Sequence, residues 1–129
     1  GHLVFSPMHT RTAAETVDRF LRFFEPAELP YVTATMAECL KGVICQRLER
    51  AITPRRKGPT GKPLGRIAIF ETMIPTAAIR AQIAENRVAD IKGSMEVSRT
   101  DGCQTFAHAY RQAESEGLIA TVPNRFPSK

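Results

Sequence analysis

Residues 12 to 26, TAAETVDRFLRFFEP, write both ends of one helix into the sequence. Thr12 followed three residues later by Glu15 is a capping box. The threonine hydroxyl accepts from the amide of residue 15, and the Glu15 carboxylate reaches back to the amide of Thr12. Val17, Phe20, Leu21 and Phe24 then fall on one stripe at helical spacing. Glu15 with Arg19, and Asp18 with Arg22, set acid before base at i,i+4 on the polar side. Pro26 stops the helix. A helix bounded in this way must bury its stripe, so the rest of the chain has to supply an apolar surface for it.

Upstream, GHLVFSPMHT predicts a buried strand around Leu3-Val4-Phe5 that delivers His9 to its end, just before the helix. Downstream, a second helix starts near Pro26 to Glu28, turns Leu29, Val32, Met36 and Leu40 inward, and ends around Lys41-Gly42. The β-branched start of Val43 to Leu48 and the run Arg66 to Ile74 read as two strands of a hairpin with a long Pro/Gly-containing loop. Three shorter helices follow. Thr76 caps the first, which turns Ile79 and Ile83 to one side. The second begins at Arg87 and buries Val88, Ile91 and Met95. After the polar turn Ser98 to Gly102, the third carries Phe106, Ala109, Tyr110 and Ala113 and stops at Gly117. Residues 1–119 are therefore one domain, and 120–129, ATVPNRFPSK, a loose tail.

Composition limits the partners. The chain has 129 residues, 43% hydrophobic and 24% charged, which suits one folded domain. Its net charge of +5 is local, because residues 47–66 sum to +6 and the remainder to −1. The basicity belongs to one loop, with Arg55, Arg56, Lys57 and Lys62 as candidate partner-binding residues for an acidic surface. Nucleic acid is not expected, since no aromatics interleave these bases. No apolar run nears the roughly 18 residues of a membrane span. Cytoplasmic residence is expected, with Cys39, Cys45 and Cys103 reduced. The cysteines and His2, His9 and His108 lack paired-ligand spacing, so no metal site is expected.

Gly58 to Pro63, GPTGKP, is a decoy for a phosphate-binding loop. The pattern G-x-x-x-x-G-K-[ST] needs a glycine where Arg56 stands and a hydroxyl where Pro63 stands. Pro59 and Pro63 have no amide to donate, and a strand rather than a helix follows.

Several motifs coincide in order and spacing with one family. GHLVFSPMHT with its capped helix resembles the histidine box of the bacterial type IV pilus twitching-motility ATPases, the PilT/PilU-type members of the secretion ATPase superfamily. Gly42 to Leu48 is similar to that family's GVISQRL, and Arg66 to Ile74 to its GRVAAFEIM strand. Ala78-Ile79-Arg80 is similar to the AIR motif of the retraction motors, and Gly102 to Phe106 to GMQTF of GMQTFD. The resemblance covers roughly residues 1–119. It departs where Ser6-Pro7-Met8 replaces Gly-Thr-Leu, where Cys103 replaces Met and where Ala107 replaces Asp. Proline removes a ladder donor from what should be a central strand.

The resemblance implies an α/β fold, the C-terminal portion of a RecA-like P-loop ATPase domain with short strands, a β-hairpin and five helices. The P-loop, Asp box and Walker B carboxylate lie upstream in that family, so the P-loop half is expected to be missing here. Part of a hexameric motor ATPase powering pilus retraction is then the expected function. ATP or ADP and Mg2+ would be held mainly by residues outside this chain, which alone should not turn ATP over. His9 and His2 are the implied catalytic pair. On one continuous strand their odd spacing would set them on opposite faces, unless Pro7 breaks it. His9 and Thr10 are the implied nucleotide contacts, His9 sensing the γ-phosphate.

Ala78, Ile79 and Arg80 are the implied motor-coupling residues. A cation in a helix's first turn opposes the helix dipole, so Arg80 should have a partner outside its own helix. The implied partners are sister subunits and an inner-membrane platform protein, with the motor peripheral at that membrane. The competing reading is a non-enzymatic module that uses the 55–62 loop to engage an acidic protein or nucleic acid. Binding lost when Arg55, Arg56 and Lys57 are replaced would single it out.

Overall fold

Thr12 caps the first helix as its sequence requires, its Oγ1 accepting from the Glu15 amide at 3.2 Å. The return arm lands one residue early, because Glu15 Oε2 accepts from the Arg11 amide at 2.9 Å rather than from Thr12. In this computed structural model, which describes residues 1–52 and 65–122, the helix α1 runs Ala13–Leu21. It ends short of Pro26. Ala13, Val17 and Leu21 form its buried stripe, whereas Phe20 is 36% exposed and stacks on Phe24 at 5.4 Å. Asp18 and Arg22 pair at 2.9 Å; Arg19 instead donates to the His9 carbonyl at 3.4 Å.

The expected opening strand does not form. Residues 1–10 carry no regular structure, and Leu3, Val4 and Phe5 are 68 to 88% exposed. The physical reason is pairing. A strand needs a neighbour to take its backbone hydrogen bonds, and the two strands of the described residues pair with each other. With no strand there, alternation does not set His2 and His9 on opposite faces.

Helix α2, Leu29–Cys39, has Pro30 in its first turn, where the missing amide costs nothing. Its buried residues are Thr33 and Ala37, with Leu29, Val32, Met36 and Leu40 packed half-buried around them. Strands β1, Val43–Arg50, and β2, Arg66–Met73, form the expected antiparallel hairpin, with Val43 opposite Met73 and Cys45 opposite Glu71. The loop containing Arg55, Arg56, Lys57 and Lys62, and the GPTGKP decoy, lie outside the described residues, as does most of the 120–129 tail.

Alternation along β2 turns Ile69, Glu71 and Met73 inward, and on β1 Val43 and Cys45. Helices α1 and α5, Phe106–Ser115, pack on the hairpin. Helix α3, Ala77–Ala84, capped by Thr76, lies against α2. Asn86, at φ 55°, follows its end. The segment expected as a single helix from Arg87 divides into a 3-10 turn, Val88–Asp90, and helix α4, Ile91–Val97. Gly102 and Gly117 adopt positive φ, 91° and 66°, which glycine takes at least cost, and Gly117 ends α5 as predicted. Val17, Met73, Ile79, Ile83 and Ile91 are fully buried at the centre. Each such side chain contributes about 1.5–3 kcal/mol on leaving water.

Candidate functional site

The histidine segment, α1, α2 and the start of β1 enclose an open cleft of about 870 Å³. His9 and Thr10 line it together with Thr16 and Phe20 of α1 and Met36, Cys39 and Leu40 at and beyond the end of α2. The first residues of β1, including Cys45, complete the wall. His9 is exposed, and among the described residues no hydrogen bond engages its imidazole. An imidazole free at the mouth of a cleft can donate to an anionic oxygen that enters it.

Thr10 is half-buried and its hydroxyl is already committed. It lies 2.6 Å from the Thr16 hydroxyl, which donates to the Thr12 carbonyl at 2.9 Å. Thr16 Oγ1 also sits 3.8 Å from the Cys45 Sγ. This chain of hydroxyls fastens the irregular segment carrying His9 to the first turns of α1. Burial pushes the Cys45 thiol up; the Thr16 hydrogen bond opposes this, Glu71 and Glu15 add to it, and Arg47 opposes it. The thiol stays protonated at neutral pH and is a poor nucleophile.

Arg80 has the outside partner that its helix position demanded. Its guanidinium donates to the carbonyls of Ala37, of Glu38 at 3.2 Å and of Leu40 at 3.3 Å. These belong to the C-terminus of α2, where unsatisfied carbonyls and the negative end of the dipole welcome a cation. Cys39 and Leu40 of that helix end also line the cleft. The α2 terminus that Arg80 holds thus contributes Leu40 to the same cleft that His9 lines. Ile79, the neighbour of Arg80, is fully buried, and Ala78 is exposed. His2 is exposed and is not among the cleft residues.

One residue was overlooked in the sequence. Glu71, 6% exposed, accepts from the amide of Ala13 at 2.8 Å through Oε1 and from that of Phe106 at 3.2 Å through Oε2. These are the first residues of α1 and α5. A charge at an inward position of an alternating strand was the available signal. Beside it, Gln104 exchanges backbone hydrogen bonds with Thr72 at 2.8 and 2.9 Å, and Arg47 lies 4.2 Å over the Phe106 ring. Cys103 is buried in the core, its Sγ accepting from the Ile74 amide and donating to the Ile74 carbonyl, each at 3.4 Å.

Comparison with known proteins gives the arrangement its context. A family model described as type II/IV secretion system protein matches residues 1–121. A type IV pilus retraction ATPase, PilT, of Pseudomonas aeruginosa is 35% identical over 129 residues, covering all of this chain and 35% of that protein. A twitching motility protein of Neisseria gonorrhoeae is 34% identical over 120 residues, covering 93% of this chain and 30% of that protein. The crystal structure of a pilus retraction motor, PilT, with bound ADP superposes with a TM-score of 0.77 at 29% identity, over 97% of this chain and 34% of that one. The chain thus spans about a third of the length of the relatives it matches.

Proposed function

The chain belongs to the type II/IV secretion system protein family, and from that premise we propose that it is part of a hexameric motor ATPase driving type IV pilus retraction. Its α/β fold and its likeness to retraction ATPases over its whole length support the reading. So does the ADP held by the structural neighbour. The observation that carries it is His9: exposed, without a partner for its ring among the described residues, and lining the open cleft beside the start of α1.

In this reading the imidazole donates to the γ-phosphate of ATP, an interaction that exists only while that phosphate is present. Thr10 does not need a free hydroxyl to take part. Through Thr16 it ties the sensing segment to α1, so a shift at His9 moves the helix. Arg80 holds the far wall, coupling α3 to the end of α2. His2, one of the implied catalytic pair, is given no contact to the nucleotide here. Residues 1–129 contain no G-x-x-x-x-G-K-[ST] pattern. Among the described residues no three His, Cys, Asp or Glu side chains gather as a metal site. Apart from the His9 contact, the phosphates and Mg2+ are proposed to be held mainly by other parts of the motor, where the metal would neutralise developing charge during phosphoryl transfer. Sister subunits and an inner-membrane platform protein are the proposed partners, with the motor cytoplasmic and docked at that membrane. No helix of the described residues is long and apolar enough to cross it.

The test is ATP turnover by the full-length protein carrying this segment, by residues 1–129 alone, and by full-length His9→Ala. Turnover is expected in the first and none in the second. In the third, kcat should fall about 100-fold with ADP affinity retained, the scale of losing one preorganised donor to developing charge. Turnover by residues 1–129 alone, or a His9→Ala motor as fast as wild type, would overturn the proposal.

A further inference from the structure

We infer that Glu71 is the positioning residue that sets His9 against the nucleotide, by holding the N-termini of α1 and α5 on its two carboxylate oxygens; this rests on the γ-phosphate-sensing reading above. Each oxygen has a different helix. Oε1 takes the amide of Ala13 at 2.8 Å and Oε2 that of Phe106 at 3.2 Å. The residue is 6% exposed, and none of the ion pairs among the described residues includes it. A buried carboxylate without a cation is tolerated only where donors solvate it. Here the donors are amides left without intrahelical partners, at the positive ends of two helix dipoles.

The two attachments differ in what surrounds them. On the α5 side the next strand residue reinforces the bond, since Thr72 and Gln104 exchange backbone hydrogen bonds and the Gln104 side chain donates to the Phe70 carbonyl at 3.0 Å. That makes β2, residues 104–106 and the start of α5 one fixed block. On the α1 side the neighbour is the irregular segment carrying His9, four residues before Ala13. Glu71 therefore fixes where α1 begins relative to the block, and the Thr10–Thr16 hydroxyl pair carries that placement to His9. A charge-assisted hydrogen bond is shorter and stronger than a neutral one, so at a helix terminus it adds a directional constraint to that of apolar packing. A carboxylate is needed because it accepts at both oxygens. Glutamine accepts at one and turns an NH2 group towards the other amide.

The experiment compares dissociation constants for ADP and a slowly hydrolysed ATP analogue, ATPγS, in the assembled full-length protein. Wild type, His9→Ala, Glu71→Gln and the double variant are measured. A preference for the triphosphate is expected in wild type and should be lost in His9→Ala. Glu71→Gln should lower it at least about 5-fold, a normal coupling magnitude, with ADP affinity held within about 2-fold. The double variant should match His9→Ala, since one acts through the other. A merely structural glutamate would lower the melting temperature yet leave this ratio intact. If His9→Ala loses the preference and Glu71→Gln keeps it, the inference about Glu71 alone is overturned. If His9→Ala keeps it, the γ-phosphate reading and this inference fail together. Should Glu71→Gln not assemble, Glu71→Asp retains the charge while withdrawing both oxygens by one methylene, and the same ratio decides in the same way.

Discussion

The Oε1 of Glu71 accepts the backbone amide of Ala13 at 2.8 Å across 58 residues of sequence. A strand from the middle of the chain thereby holds the start of the helix that follows the histidine segment. Its second oxygen does the same for α5 at Phe106. Removing the side chain strips two amides of their acceptor in a site closed to water, at about 1–3 kcal/mol for each unsatisfied group. Glu71→Ala should accordingly lower the unfolding free energy by about 2–5 kcal/mol, and Glu71→Gln by less. Urea unfolding followed by circular dichroism reads this as a drop in midpoint; a midpoint unchanged in Glu71→Ala would contradict the two-helix attachment.

Arg80 acts on the other end of a different helix. Its guanidinium reaches three carbonyls at the C-terminus of α2, which a lysine's single ammonium cannot span with the same fork. Arg80→Ala should fray the last turn of α2 while sparing the hairpin. Amide hydrogen exchange should accelerate at Ala37 to Leu40 and remain slow at the paired residues of β1 and β2. Equal acceleration in both regions would mean that the arginine supports the fold at large and does not cap this helix.

The thiols should separate by exposure. Cys39 is exposed, whereas Cys45 and Cys103 are buried and the Cys45 thiol is pushed up by that burial. Brief treatment with iodoacetamide at pH 8 should label Cys39 alone, the other two following only in denaturant. Peptide mass spectrometry checks this, and early labelling of Cys45 would show the cleft wall opening in solution.

Burial, then the nearby charges of Arg99 and Arg111, hold the His108 imidazole below the usual histidine range. The folded state thus binds its proton less readily than the unfolded chain does. The stability contributed is complete above the ordinary value near 6.5 and is lost as pH falls through the lowered one. NMR titration of the ring should give a midpoint below about 6.5, moving upward in Arg99→Gln. A midpoint unmoved by that substitution would remove the arginine from the explanation.

Local structure was largely legible because its causes are local. The Thr12, Thr76 and Gly117 signals, the hairpin strands and the burial of Val17, Ile79, Ile83, Ile91 and Met95 follow from side-chain chemistry and spacing within a few residues. The demand of Arg80 for a partner outside its helix was legible too, because a dipole has a known sign. What sequence spacing cannot carry is the identity of partners far along the chain. Leu3-Val4-Phe5 has strand composition yet forms no strand, since strand formation requires a neighbour's backbone and the described residues provide none to it. The carbonyls beneath Arg80 lie about 40 residues upstream of it. The two amides on Glu71 come from helices 58 and 35 residues away. From Thr12 onward, composition and periodicity thus determined most of the helices, the hairpin strands and much of the faces they bury. Only the tertiary structure decided which helix ends converge on one carboxylate, because that convergence depends on how whole elements pack.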